Sequence, residues 1–149
     1  MENQVIAFIG VRELKIMDHS MPEPGPHEVV VHVKATALCT QEQRFFTGVK
    51  EVKNYPAVAG HESAGEVVAV GSAVKNVKIG DKVVCDGGVV PASGRRRFTG
   101  EQAKTPDADG IYKILQGTLS RYVARDEEDV IVCKSDSVYE HICLTEPLS

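Results

Sequence analysis

Most features that would place this chain in a membrane, outside the cell or on nucleic acid are missing. No apolar run approaches the roughly 20 residues of a membrane span. The leading "MENQVIAFIGVREL" lacks the cationic start, apolar centre and small-residue cleavage site of a secretory signal. The four cysteines, Cys39, Cys85, Cys133 and Cys143, lie far apart and form no Cys-x-x-Cys pair. A disulfide framework is therefore not expected, and a cytoplasmic protein with reduced thiols is. No Gly-x-Gly-x-x-Gly follows a strand, so these residues are not expected to form a dinucleotide-binding fold. There are no repeats and no low-complexity tract. A net charge of -4 gives no electrostatic reason for a nucleic-acid or membrane partner. The one basic cluster, Arg95, Arg96 and Arg97, follows Ser93-Gly94 and precedes Phe98-Thr99-Gly100, and reads as a solvated loop tip.

What is present reads as β-structure. The 149 residues suffice for one domain with a real core, and 42% apolar with 26% charged content is that of a globular protein. "MPEPGPHE", with three prolines and a glycine, is a turn or loop. "HEVVVHVKATAL" then alternates Val29, Val31 and Val33 with Val30, His32 and Lys34, which predicts a strand. "ESAGEVVAVG" and "GDKVVCDGGVV" are short β-branched runs bounded by Gly and Asp. Strand character returns around Tyr122 and from Val130 to Cys133, and the spacing of Val138, Ile142 and Leu144 suits a short helix. Closely spaced strands predict a compact, mainly β body. Residues 86–110 are rich in Gly, Pro and charge, and a long irregular loop is expected at about 86–117.

The chemistry centres on "YPAVAGHESAGEVVAVG", which sets His61 and Glu62 between glycines ahead of an apolar run. Zinc accepts thiolate, imidazole and carboxylate together, and a catalytic site keeps three protein ligands and one open position. Cys39, His61 and Glu62 offer one of each, with Glu146 as a further carboxylate. Taken singly, Cys39 reads as a small buried hydrophobe and His61–Glu62 as a structural pair.

The longer pattern changes that reading. Gly60-His61-Glu62, Gly65-Glu66-Val67 and Val74 onward to Gly80-Asp81-Lys82-Val83 resemble the signature of the zinc-containing medium-chain alcohol and polyol dehydrogenases. "PEPGPHEVVVHVKATALC" is similar to that family's approach to its first zinc ligand, and "SRYVARDEEDVIVCKSDSVYEHICLTEPLS" to its return strand. The resemblance covers nearly the whole chain apart from residues 86–117. It implies a GroES-like, partly open β-barrel with short peripheral helices over residues 1–149, truncated before a Rossmann-type cofactor domain. It implies one catalytic zinc held by Cys39, His61 and a carboxylate, Glu62 or Glu146, both near the metal. The metal would polarise a substrate alcohol or polyol for hydride transfer to NAD or NADP, bound by the missing domain. Glu42 falls where the family has an acid that hydrogen-bonds the zinc-ligating histidine. The full-length protein would be a homo-oligomer, and this fragment alone inactive.

Departures from the family matter too. The position that starts the family's proton relay is Gln41, which cannot relay as a hydroxyl does, so Thr40 or water would substitute. Residues 86–117 contain no cysteine, so no structural zinc is expected, and Cys85 reads as a strand residue. The alternatives are a zinc-free quinone or enoyl reductase domain of the same superfamily and a non-enzymatic GroES-like binding module.

Overall fold

A computed structural model describes residues 2–85, 104–134 and 136–144. Nine strands and two short helices follow in the order β1 (Asn3–Gly10), β2 (Glu13–His19), β3 (Glu28–Ala37), α1 (Thr40–Thr47), β4 (Ala57–Val58), β5 (Glu62–Val70), β6 (Lys82–Cys85), β7 (Tyr112–Lys113), β8 (Tyr122–Asp126), β9 (Val130–Val132) and α2 (Tyr139–Ile142). They form a four-stranded sheet, β2-β1-β4-β7, and a five-stranded sheet, β8-β3-β5-β6-β9.

The five-stranded sheet is antiparallel and centred on β3 and β5, which pair from Val29↔Val70 to Ala37↔Glu62 with two irregularities in the register. Val29, Val31, Val67, Val83, Cys85, Val123 and Val130 meet in its main core. The predicted alternation holds for Val29 and Val31. Val30, on the opposite face, is buried as well, because Tyr122 and Ala124 of β8 cover it. Gly65 is required where β5 crosses β3: a Cβ there would stand 2.3 Å from the His32 carbonyl oxygen.

This sheet cannot be flat. Its edges, β8 and β9, are joined only through the single turn Glu127–Asp129. Five flat strands would hold those edges about 19 Å apart, whereas the four Cα steps from Asp126 to Val130 reach about 14 Å at most. The sheet therefore curls into a partly open barrel, the GroES-like architecture expected, with β8 turning the corner into β9. All five residues of β8 are buried at this corner. Arg125 within it donates from Nη2 to the Gln116 carbonyl at 3.0 Å.

Three features differ from the sequence reading. An N-terminal hairpin, β1–β2, is present, turning through Arg12 at φ 63° and pairing Ile6 with Ile16 and Phe8 with Leu14. Helix α1 follows Cys39 directly. Within the expected loop at 86–117, the described residues 104–117 include β7, which pairs in parallel with β4. The remainder of that loop, with Arg95–Arg97, lies outside the described residues. Cys85 ends β6 and is buried, as a strand residue should be. Among the described residues no helix is long and apolar enough to cross a membrane.

The corner is fastened by one carboxylate. Glu127 Oε2 accepts hydrogen bonds from the backbone N–H groups of Lys75 (2.9 Å) and Asn76 (3.1 Å). Burial alone would raise its pKa, but these donors and the His27 imidazole outweigh burial and hold it below the ordinary 4.5. A carboxylate with a depressed folded pKa adds stability above its unfolded value, and that stability is lost as pH falls through the folded value. Glu127→Gln should therefore lower stability at about pH 7 by about 1–2 kcal/mol. The gap between variant and parent should close below about pH 4.5, as read from urea midpoints along a pH series.

Candidate active site

The register of β3 against β5 decides which side chains meet. Ala37, the last residue of β3, lies opposite Glu62, the first of β5. Cys39, two residues beyond Ala37, and His61, one before Glu62, are thereby brought to the same end of the ladder. Cys39 is the N-cap of α1, with φ -78° and ψ 164°. Its backbone N–H donates to Glu42 Oε2 at 3.0 Å, satisfying a donor that the helix start would otherwise leave open.

The other oxygen of the same carboxylate, Glu42 Oε1, accepts from His61 Nδ1 at 3.0 Å. Glu42 is buried. Burial pushes its pKa up, but the hydrogen bond and charge of His61, with the backbone donors, win and leave it below the ordinary value. It is thus held as a carboxylate, which favours the His61 tautomer protonated at Nδ1. His61 Nε2 then faces Glu62 Oε1 at 3.6 Å, beyond hydrogen-bond length. Two ligands on one tetrahedral zinc, with bonds of about 2.1 Å, stand about 3.4 Å apart.

Ligand atoms of Cys39, Glu42 and His61 lie within 4.8 Å of one another. Both Glu42 oxygens are engaged, so Glu42 orients the set, and Cys39 Sγ and His61 Nε2 are the atoms suited to a metal. Thiolate, imidazole and carboxylate are a zinc-type donor set. Thr40 Oγ1 stands 3.8 Å from Cys39 Sγ. Gln41 turns away, its Oε1 accepting from Lys50 Nζ at 3.1 Å. Glu146 lies outside the described residues, two positions past Leu144. Helix α2 packs Ile142 and Cys143 against Ala64, with Ala37 alongside, which brings the chain to this end of the ladder. Burial, and to a lesser degree the Glu140 and then the Glu62 carboxylates, raise the Cys143 thiol pKa.

His61 is positioned from behind by Gly60. At φ 103°, a Cβ on Gly60 would sit 2.7 Å from both Leu119 N and Thr118 Oγ1. The Gly60 carbonyl accepts from Gln116 N and Thr118 N, both at 3.2 Å. Sequence reading missed this Gly117–Leu119 buttress because nothing in that short segment carries a chemical signature. Leu119 also lines a groove of about 420 Å³ with Ile6, Phe8, Leu14, Leu38 and Phe46, and Cys39 and Thr40 border it.

A second cluster, His19, Asp107 and Asp109, has metal-like composition. Its polar contacts serve the fold: Asn3 Oδ1 accepts from Tyr122 N at 2.9 Å, its Nδ2 donates to the Ser20 carbonyl at 3.1 Å and lies 3.2 Å from His19 Nδ1, and His19 Nε2 lies 2.8 Å from Asp107 Oδ2. The cluster ties the end of β2 to the 104–110 turn.

The profile of the family described as alcohol dehydrogenase GroES-like domain matches residues 25–135. The sorbitol dehydrogenase of Bacillus subtilis is 30% identical over 143 residues, covering 93% of this chain and 40% of that protein. The D-xylulose reductase of Saccharomyces cerevisiae is 32% identical over 143 residues, covering 92% and 40%. The crystal structure of 2R,3R-butanediol dehydrogenase from Bacillus subtilis is similar with a TM-score of 0.74 at 25% identity, covering 97% of this chain and 44% of that one. The chain spans about two fifths of the length of the curated relatives it matches.

Two glycines with similar backbone angles separate strain from crowding. Gly80, at φ 89°, has nothing within 4 Å of the place a Cβ would take, whereas Gly60 faces backbone and a buried hydroxyl. Gly80→Ala should cost about 1–2 kcal/mol. Gly60→Ala should cost at least about 2 kcal/mol more, measured by chemical denaturation of both variants.

Proposed function

Because the chain belongs to the alcohol dehydrogenase GroES-like domain family, we propose that it is the zinc-binding catalytic domain of an NAD(P)-dependent alcohol or polyol dehydrogenase. The observation that carries this reading is the shared carboxylate of Glu42, which joins Cys39 and His61 into one oriented pair. Cys39 and His61 would hold zinc with Glu62 or Glu146 as the third ligand. Bound there, zinc supplies Lewis acidity toward the substrate hydroxyl, and a nicotinamide held by the remainder of a longer protein supplies the hydride acceptor.

The chain's own residues have distinct tasks. Glu42 holds the imidazole with Nε2 toward Glu62 and raises its basicity. Thr40, beside Cys39, carries the hydroxyl proton outward in place of the residue at Gln41, which is turned to Lys50. Where Glu146 is the third ligand, buried Glu62 balances charge beside His61. The bordering apolar groove excludes water from the reacting centre. The whole protein acts in a reducing, cytoplasmic setting, as a homo-oligomer on a small-molecule substrate.

Purified chain should bind about one zinc, measured by elemental analysis after gel filtration, and Cys39→Ala and His61→Ala should each abolish it. Absence of zinc at saturating metal would overturn the reading. Glu42→Gln should keep the site but weaken zinc affinity roughly 10- to 100-fold, as read by competition with a chromophoric chelator. Equal affinity would remove Glu42 from its orienting role.

A further inference from the structure

We infer that a groove between the 75–81 turn and the end of β9 binds a polyphosphate, the group shared by inorganic tripolyphosphate and a nucleoside triphosphate. The groove holds about 460 Å³, and Lys75, Lys78, Asp81, Val132, Cys133 and Lys134 are among its lining residues. It lies apart from the candidate active site. Strand β6 pairs with β5 from Ser63↔Cys85 to Glu66↔Lys82, and Ser63 directly follows Glu62. The groove is at the Lys82 end, where Cys133 N donates to the Lys82 carbonyl at 2.8 Å. Three residues of strand put about 10 Å between the two ends.

Three ammonium groups gather on this groove. Lys75, Lys78 and Lys134 are exposed, and among the described residues none of their side chains makes a hydrogen bond or an ion pair. The chain as a whole carries a net charge of -4, so this concentration is not a sample of a generally basic surface. Like charges gathered there repel one another, and a multivalent anion turns that repulsion into attraction. The carboxylate in the groove, Asp81, has Oδ2 on the backbone N–H of Lys78 at 2.9 Å, which holds the turn. Glu127 takes the backbone N–H groups of Lys75 and Asn76 from behind. The frame is therefore fixed, and recognition falls to the lysine side chains. An ammonium is a compact point charge with three rotatable donors, which suits the many oxygens of a phosphate chain and needs no planar partner. The neighbouring Lys82 stands outside the set: its Nζ donates to the Ser137 carbonyl at 3.3 Å and lies 5.5 Å from the centre of the Tyr139 ring. With charge as the main contact, ligands should rank by the number of charges they carry.

The test is isothermal titration calorimetry of the metal-free 149-residue chain at neutral pH and low ionic strength, metal-free because polyphosphate chelates zinc. Expected is one saturable tripolyphosphate site per chain, tighter than pyrophosphate, which in turn is tighter than phosphate, and weakening as salt is raised. ATP should bind no tighter than tripolyphosphate, and citrate should bind more weakly than pyrophosphate. Lys78→Gln and Lys134→Gln, both at exposed positions, should each weaken tripolyphosphate about two- to fivefold, and the double variant by about the product. Lys15→Gln on β2 and Cys39→Ala, both outside the groove, should leave the affinity unchanged. No saturable heat with tripolyphosphate, several anions bound per chain, or undiminished affinity in the double variant would overturn the inference. So would binding of ATP without tripolyphosphate, which would assign the groove to a nucleobase, and citrate outranking pyrophosphate, which would assign it to carboxylates.

Discussion

The pairing of Ala37 with Glu62 is the constraint on which the rest depends. Side chains alternate along a strand, so slipping β5 by one residue against β3 would turn Glu62 outward and carry the valine core to the wrong face. The same slip would separate Cys39 from His61. Core packing and site assembly thus share one register, and the valines that stabilise the barrel also specify the site. The two irregularities between Val30 and Ala35 adjust twist along this ladder without changing which residues meet at its end.

The strands were legible where β-branched residues are dense and bounded by turn formers, as in β3, β5 and the Gly80-Asp81 entry to β6. Apart from the β1–β2 hairpin, the missing elements were those stabilised mainly by long-range contacts. Helix α1 reads "TQEQRFFT", with Phe45 as its one buried apolar residue, and it begins at a cysteine where Ser, Thr, Asp or Asn is the usual signal. It exists because Phe45 packs edge-on against Phe8 of a hairpin thirty-odd residues earlier. The two-residue strands β4 and β7 carry no periodicity at all, and their pairing is set by the segments around them.

The site was legible in part for a similar reason. Residue types and the Gly-His-Glu context nominate Cys39, His61, Glu62 and Glu42. Only the folded arrangement shows that Glu42 divides its two oxygens between Cys39 and His61, or that Gln41 leaves the site for Lys50. The second cluster makes the converse point. His19, Asp107 and Asp109 have the composition of a metal site, yet their contacts with Ser20 and with one another fasten the end of β2 to the 104–110 turn.

The double use of Glu42 has a thermodynamic consequence. One side chain caps the first turn of α1 and fixes the imidazole, so helix fraying and ring orientation are coupled equilibria. Coupling of this kind is reciprocal. Whatever steadies the His61 ring, a bound ion included, must tighten the start of α1 by the same free energy. Conversely, strain applied anywhere along that eight-residue helix is felt at the ring.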